Sequence, residues 1–277
     1  MRVAYLGTSA FAAGILVRLA DSPHRPVLVV TRPDRPAGRG RRLTCPPVAD
    51  AARELGLELE QPASVNDPEA VERIAAAAPD VVVVCAFGAL IKEPLLSAHP
   101  ILNVHPSLLP RWRGAAPVER AIMAGDLETG VCIMRLTAGL DAGPVCLRGV
   151  EPIAPGDTYG TLAARLERLG ADLLLRALDA GPAGWAWEEQ PDQGVTYADK
   201  IGPEDRTLDA AASAVEQERV VRALAPHIGA RVAREDGSFL GVRRARVGAD
   251  GTLELLEVQP PGGRWMPVAD YARGRIG

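Results

Sequence analysis

The sequence is poor in several features that would fix a protein class early. Its four cysteines, Cys45, Cys85, Cys132 and Cys146, include no C-x-x-C pair, which removes the zinc-ribbon and disulfide-scaffold readings. Neither G-x-G-x-x-G nor G-x-x-x-x-G-K-[ST] occurs, so the dinucleotide fingerprint and the phosphate-cradling Walker loop are both missing. No run of 18 apolar residues occurs, and no basic segment followed by an apolar one opens the chain. The expectation is a cytoplasmic protein with no membrane partner, no metal, and no evident obligate protein partner. The formal net charge of −4 offers nucleic acid no overall attraction, but it is unevenly spread. Arg219 to Gly277 holds ten arginines, no lysine and six acids, which makes the tail +4 and leaves −8 on the rest.

What is present belongs to an ordinary globular chain: 277 residues, 47% apolar and 24% charged. The first half alternates strand-like and helix-like segments, with Arg2–Leu6, Val27–Thr31, Val81–Cys85 and Ile101–Val104 as strands between helical stretches. A run such as Val81-Val82-Val83-Val84 suits a strand buried on both faces, as in a parallel sheet covered by helices. The predicted fold is α/β, a Rossmann-like open, mostly parallel sheet with a smaller, barrel-like C-terminal β domain. Further strands at Gly130–Leu136 and Pro144–Val150 and a long helix at Tyr159–Leu178 complete a domain over residues 1–180. Glycines and prolines from Gly181 to Gly194 predict a linker over 181–205. Residues 206–277 then form the small β domain, in which Asp236-Gly237 and Asp250-Gly251 mark hairpins.

The chemistry concentrates in Asn103-Val104-His105-Pro106-Ser107-Leu108-Leu109-Pro110-Arg111-Trp112-Arg113-Gly114-Ala115-Ala116-Pro117. Asn103 and His105 are two apart on a predicted strand, so both project from one face at the carboxyl end of the sheet, where open α/β folds bind ligands. Asp141 lies between glycines in Gly139-Leu140-Asp141-Ala142-Gly143, a turn context by itself. It gains a role if attack of an amine on a formyl carbon is the reaction. That reaction needs a donor for the developing oxyanion, a group to handle the amine proton and an acid to orient that group.

The run from Asn103 to Pro117 resembles the signature of the folate-dependent formyltransferases, and Arg111–Pro117 is similar to the branch of that family that formylates methionyl-tRNA. Gly7-Thr8, Pro33–Gly40, Gln61-Pro62, Gly139–Asp141 and Thr196–Lys200 extend the resemblance over about residues 1–225. It implies transfer of a formyl group from 10-formyltetrahydrofolate to the amino group of initiator methionyl-tRNA. It also implies Asn103, His105 and Asp141 as the catalytic set and Ser107, Leu108, Leu109 and Pro110 as folate contacts. Backbone around Phe87–Leu90, with Phe87 and Gly88 foremost, and around Leu136–Leu140 would line the pteridine pocket, and Arg39, Arg41 and Arg42, in an Arg-rich glycine-containing loop, would meet tRNA phosphates. The sequence departs from the family pattern at Ala10 and Ala210 and in a C-terminal region that is shortened. A sugar-nucleotide N-formyltransferase would use the same Asn/His/Asp set but would have no use for the Arg32–Arg42 loop.

Overall fold

The computed structural model describes residues 1–37 and 42–274. In the first part of the chain β1 (Val3–Gly7), α1 (Ala10–Ala20), β2 (Pro26–Val30), β3 (Arg35–Ala37), β4 (Arg42–Thr44), α2 (Pro47–Glu54), β5 (Leu59–Glu60) and α3 (Pro68–Ala76) follow one another. Then come β6 (Val81–Cys85), α4 (Leu95–Ala98), β7 (Ile101–His105), β8 (Arg113–Gly114), α5 (Pro117–Ala124), β9 (Glu128–Arg135), β10 (Val145–Pro152) and α6 (Tyr159–Ala180). The chain ends with β11 (Tyr197–Ala198), α7 (Ala214–Leu224), β12 (Ala230–Ala233), β13 (Phe239–Val247), β14 (Leu253–Gln259), β15 (Met266–Pro267) and α8 (Val268–Arg273).

Two compact units result. One comprises Met1–Ala115, Gly130–Glu151 and Ala164–Tyr197, the other Ala116–Thr129, Pro152–Ala163 and Ala198–Gly277. A seven-stranded sheet runs in the order β10-β9-β7-β6-β1-β2-β5. β1 pairs in parallel with β2 and β6, β6 with β7, and β2 with β5, while β9 joins β7 antiparallel. The apolar strands predicted as doubly buried are so: every residue of β1, β6 and β7 is buried. Ala4, Leu6, Val82, Val84 and Ile101 share a cluster with Ile74 and Leu95 from the covering helices. Local sequence starts the helices as expected. Ser9 caps α1 by accepting from the Ala12 amide, and α2, α3 and α5 open on Pro47, Pro68 and Pro117, whose missing N–H costs nothing in a first turn.

In the second unit, Leu208, Val221, Leu224, Ala230 and Val242 form the core. β12 to β15 make an antiparallel four-stranded meander in chain order. Its first two hairpins turn at Gly237 and Gly251, both at positive φ, the positions the Asp-Gly pairs marked. Ser213 and Glu216 close a reciprocal capping box at the start of α7.

Candidate active site

The chain leaves β1 toward β2 on one side of the sheet and later returns to place β6 and β7 on the other, so the switch point lies between β1 and β6. Thr8, after β1, donates from Oγ1 to the Phe87 carbonyl after β6 at 2.7 Å and ties the two carboxyl-end loops together. Asn103 and His105 sit at the end of the neighbouring β7, 8% and 4% exposed.

Asp141 comes to both of them from 36 or more positions away. Its Oδ1 accepts from Asn103 Nδ2 at 3.2 Å, and its Oδ2 accepts from the Gly114 amide at 2.8 Å. The same Oδ2 stands 3.6 Å from His105 Nδ1, an ion-pair distance rather than a hydrogen bond. His105 Nε2 lies 2.9 Å from the Trp112 carbonyl. A carbonyl only accepts, so Nε2 carries the proton there and Nδ1 is the nitrogen turned to the carboxylate. Asn103 spends one of its two amide protons on Asp141, and the other is left for an oxygen at the site.

Backbone conformation puts these groups in place. Asp141 has φ 43° and Trp112 φ 64°, left-handed values that are uncommon outside glycine and that cluster at functional sites. Gly143 is required by close approach: a Cβ there would lie 2.0 Å from the Arg135 carbonyl oxygen. Gln190 braces the loop, donating from Nε2 to the carbonyls of Asp141 and Gly143 at 2.8 Å each. Thr196 holds the other side, its Oγ1 accepting from the Trp112 amide at 2.9 Å and its carbonyl from the Arg113 amide at 2.9 Å. Reading the sequence missed Gln190, whose stretch was expected to be linker. The sequence marked Thr196 only as the start of Thr196–Lys200.

The segment expected to contact folate folds partly inward. Ser107 is fully buried and donates to the Arg111 carbonyl at 2.6 Å, and Leu109 packs with Cys132, Met134 and Val145. Leu108 and Pro110 are half-buried. Phe87 lines a cavity of about 260 Å³ with Arg32, Asn66, Leu90 and Lys92, and the adjacent Gly88 carbonyl accepts from Arg32 at 3.0 Å. Leu90 and Leu140 are exposed large apolar residues in the two segments the resemblance assigned to the pteridine. Burial pushes the thiol of Cys85 up to about 12 and those of Cys132 and Cys146 to about 11, and Cys45 is raised as well, also by desolvation. None of the four is poised as a thiolate nucleophile. Among the described residues no group of three or more His, Cys, Asp or Glu side chains could hold a metal, and no helix is long and apolar enough to cross a membrane.

Of the three loop arginines, Arg39 and Arg41 lie outside the described residues, and Arg42 opens β4 of a two-stranded ribbon with β3. The tail arginines are largely engaged within their own unit. Arg231 donates to Thr207 Oγ1 and stacks 3.7 Å over the Phe239 ring, Arg243 is 3.6 Å from Glu257, and Arg246 is 2.7 Å from Glu254.

The family profile described as Formyl transferase matches residues 1–178. The chain is 44% identical over 299 aligned positions to the methionyl-tRNA formyltransferase of Halorhodospira halophila, covering 99% of this chain and 96% of that protein. It is 41% identical over 296 positions to that of Dechloromonas aromatica, with the same coverage. Both alignments are longer than the 277-residue chain, so these relatives carry positions that have no counterpart here. Among solved structures, the methionyl-tRNA formyltransferase of Clostridium thermocellum superposes with TM-score 0.67 at 12% identity, covering 96% of this chain and 99% of that one. A likely sugar N-formyltransferase from Mycobacterium tuberculosis superposes equally well, TM-score 0.67 at 21% identity over 87% and 96% of the two chains. At those identities the superpositions show a shared fold.

Proposed function

Since this chain belongs to the formyl transferase family, we propose that it transfers the formyl group of 10-formyltetrahydrofolate to the amino group of methionyl-tRNA. The observation that carries the chemistry is the convergence of Asn103, His105 and Asp141 on one carboxyl-end site. In this reading the amine nitrogen attacks the formyl carbon and the carbonyl pair moves onto oxygen. The free Nδ2 proton of Asn103 binds that oxyanion, which is worth most in a preorganised site shielded from water. His105 takes the proton the amine loses, and Asp141 stabilises the resulting imidazolium. When the tetrahedral species collapses, the C–N bond to the folate breaks and its nitrogen leaves with the proton that His105 took from the amine.

Folate would enter beside Phe87 and Gly88, whose backbone would line its pteridine, and would meet Ser107–Pro110 through backbone groups. Arg39, Arg41 and Arg42 would meet phosphates of the acceptor stem. The near-full-length similarity to methionyl-tRNA formyltransferases supports this acceptor over an amino sugar. The test is acceptor affinity at 50 and 200 mM salt for wild type and Arg39→Ala. The expectation is a steep salt dependence, reduced in the variant by about one counterion per lost phosphate contact. Salt-insensitive binding, an unaffected Arg39→Ala and transfer to an amino sugar would instead assign the sugar reaction.

A further inference from the structure

Asp141 must hold an unfavourable backbone conformation while its two carboxylate oxygens serve three groups, and the fixture that keeps it there is not any of those groups. Gln190 is attached to both segments that carry the carboxylate and its donor. On one side its single Nε2 gives one proton to the Asp141 carbonyl and the other to the Gly143 carbonyl, each at 2.8 Å. On the other side its Oε1 accepts from Arg113 Nε at 3.0 Å and Nη2 at 2.7 Å. Arg113 immediately precedes Gly114, whose amide donates to Asp141 Oδ2. The bonds close a ring: carboxylate, Gly114 amide, Arg113, Gln190, and back to the Asp141 carbonyl.

We propose that Gln190 is a positioning residue that sets the orientation of the Asp141 carboxylate toward His105 and Asn103. Only a neutral primary amide of this length satisfies both sides. A glutamate would turn a carboxylate oxygen toward two carbonyls, an asparagine is one methylene short, and a hydrocarbon leaves all four bonds unmade. The amide's orientation is fixed by its partners, since two carbonyls demand the nitrogen and a guanidinium demands the oxygen. Gln190 is half-buried, so water can reach the carbonyls when the amide is removed. What changes is the aim of the carboxylate.

This inference rests on the assignment of Asp141 to the reaction, and the experiment separates the two. The kcat and KM for both substrates, 10-formyltetrahydrofolate and methionyl-tRNA, are measured for Gln190→Leu, Gln190→Glu, Asp141→Asn and the Gln190→Leu/Asp141→Asn pair. Gln190→Leu is expected to lower kcat on the order of 10²-fold, the effect of displacing a catalytic group by about 1 Å, with each KM within about threefold. Gln190→Glu keeps the Arg113 acceptor but not the carbonyl donors, and it should lose nearly as much. It also carries the test if the leucine variant does not fold. In the Asp141→Asn background, Gln190→Leu should change the residual rate by less than about threefold, because its only route to the reaction is gone. Equal losses in both backgrounds, or a kcat within about threefold of wild type for folded Gln190→Leu and Gln190→Glu, would overturn the inference alone. A wild-type rate for Asp141→Asn would overturn the assignment of Asp141 and this inference with it.

Discussion

Replacing Gly143 by alanine tests the site through backbone alone, with no reacting group touched. The new Cβ would stand 2.0 Å from the Arg135 carbonyl oxygen and 2.9 Å from Thr137 Cγ2. Real Cβ atoms essentially never come closer than 3.0 Å to such neighbours, so the loop or β9 must move by at least about 1 Å. Arg135 is held in the ladder opposite Leu102, so the loop yields. Asp141 lies two residues away, and its hydrogen bonds of 3.2 Å to Asn103 and 2.8 Å to Gly114 lengthen beyond useful range. A misplacement of that size costs on the order of 10² in rate, about 2.7 kcal/mol of transition-state stabilisation. The assay is transfer of labelled formyl to methionyl-tRNA at saturating donor, giving kcat and KM, alongside circular dichroism and a thermal melt. The expected variant is folded, slowed about a hundredfold and nearly unchanged in KM. A folded Gly143→Ala enzyme with full kcat would show that Asp141's position does not matter to turnover.

Asn103→Ala should lower kcat by about 10²–10³ as the oxyanion donor is lost, with folate binding measured by fluorescence left intact; retained activity would remove Asn103 from the mechanism. His105→Ala should be slowed comparably, and the Asn103→Ala/His105→Ala pair should be much less than multiplicatively worse, because the two act as one unit. In the second unit, Arg120 meets both oxygens of Asp205 at 2.7 and 2.9 Å, and the guanidinium, with the Gly202 amide, holds that carboxyl below its usual value of 3.8. A lowered carboxyl stabilises the fold above the unfolded value and loses that contribution as pH falls through the folded one. Urea titrations should therefore find Asp205→Asn about 2 kcal/mol less stable than wild type at pH 7 and at pH 5, with the gap closing only below about pH 4. A gap that already closes between pH 7 and 5 would contradict this assignment.

Much of the molecule was legible from one dimension of information. Periodicity reports which faces are buried, so the apolar run Val81–Cys85 announced a strand of a covered sheet, and Asp236-Gly237 and Asp250-Gly251 announced hairpins. The i, i+2 spacing of Asn103 and His105 placed both on one face without any tertiary knowledge. Asp141 could be nominated only by the chemistry it would complete, because a turn acid looks alike wherever its chain leads. Its approach to His105 is decided by a left-handed residue, the contact of Gly143 with Arg135, and an amide from a segment that reads as linker. The same holds for charge. Of the arginines that make the tail basic, Arg243 and Arg246 pair with Glu257 and Glu254 once β13 and β14 come together, and Arg231 donates to the Pro203 carbonyl. Composition states how many charges and hydrogen-bonding groups a chain has, while their mutual satisfaction depends on backbone carbonyls and cross-strand neighbours that carry no residue identity. The sequence by itself therefore determined the sheet and nominated the side chains proposed to react, and the tertiary structure alone decided which groups aim them.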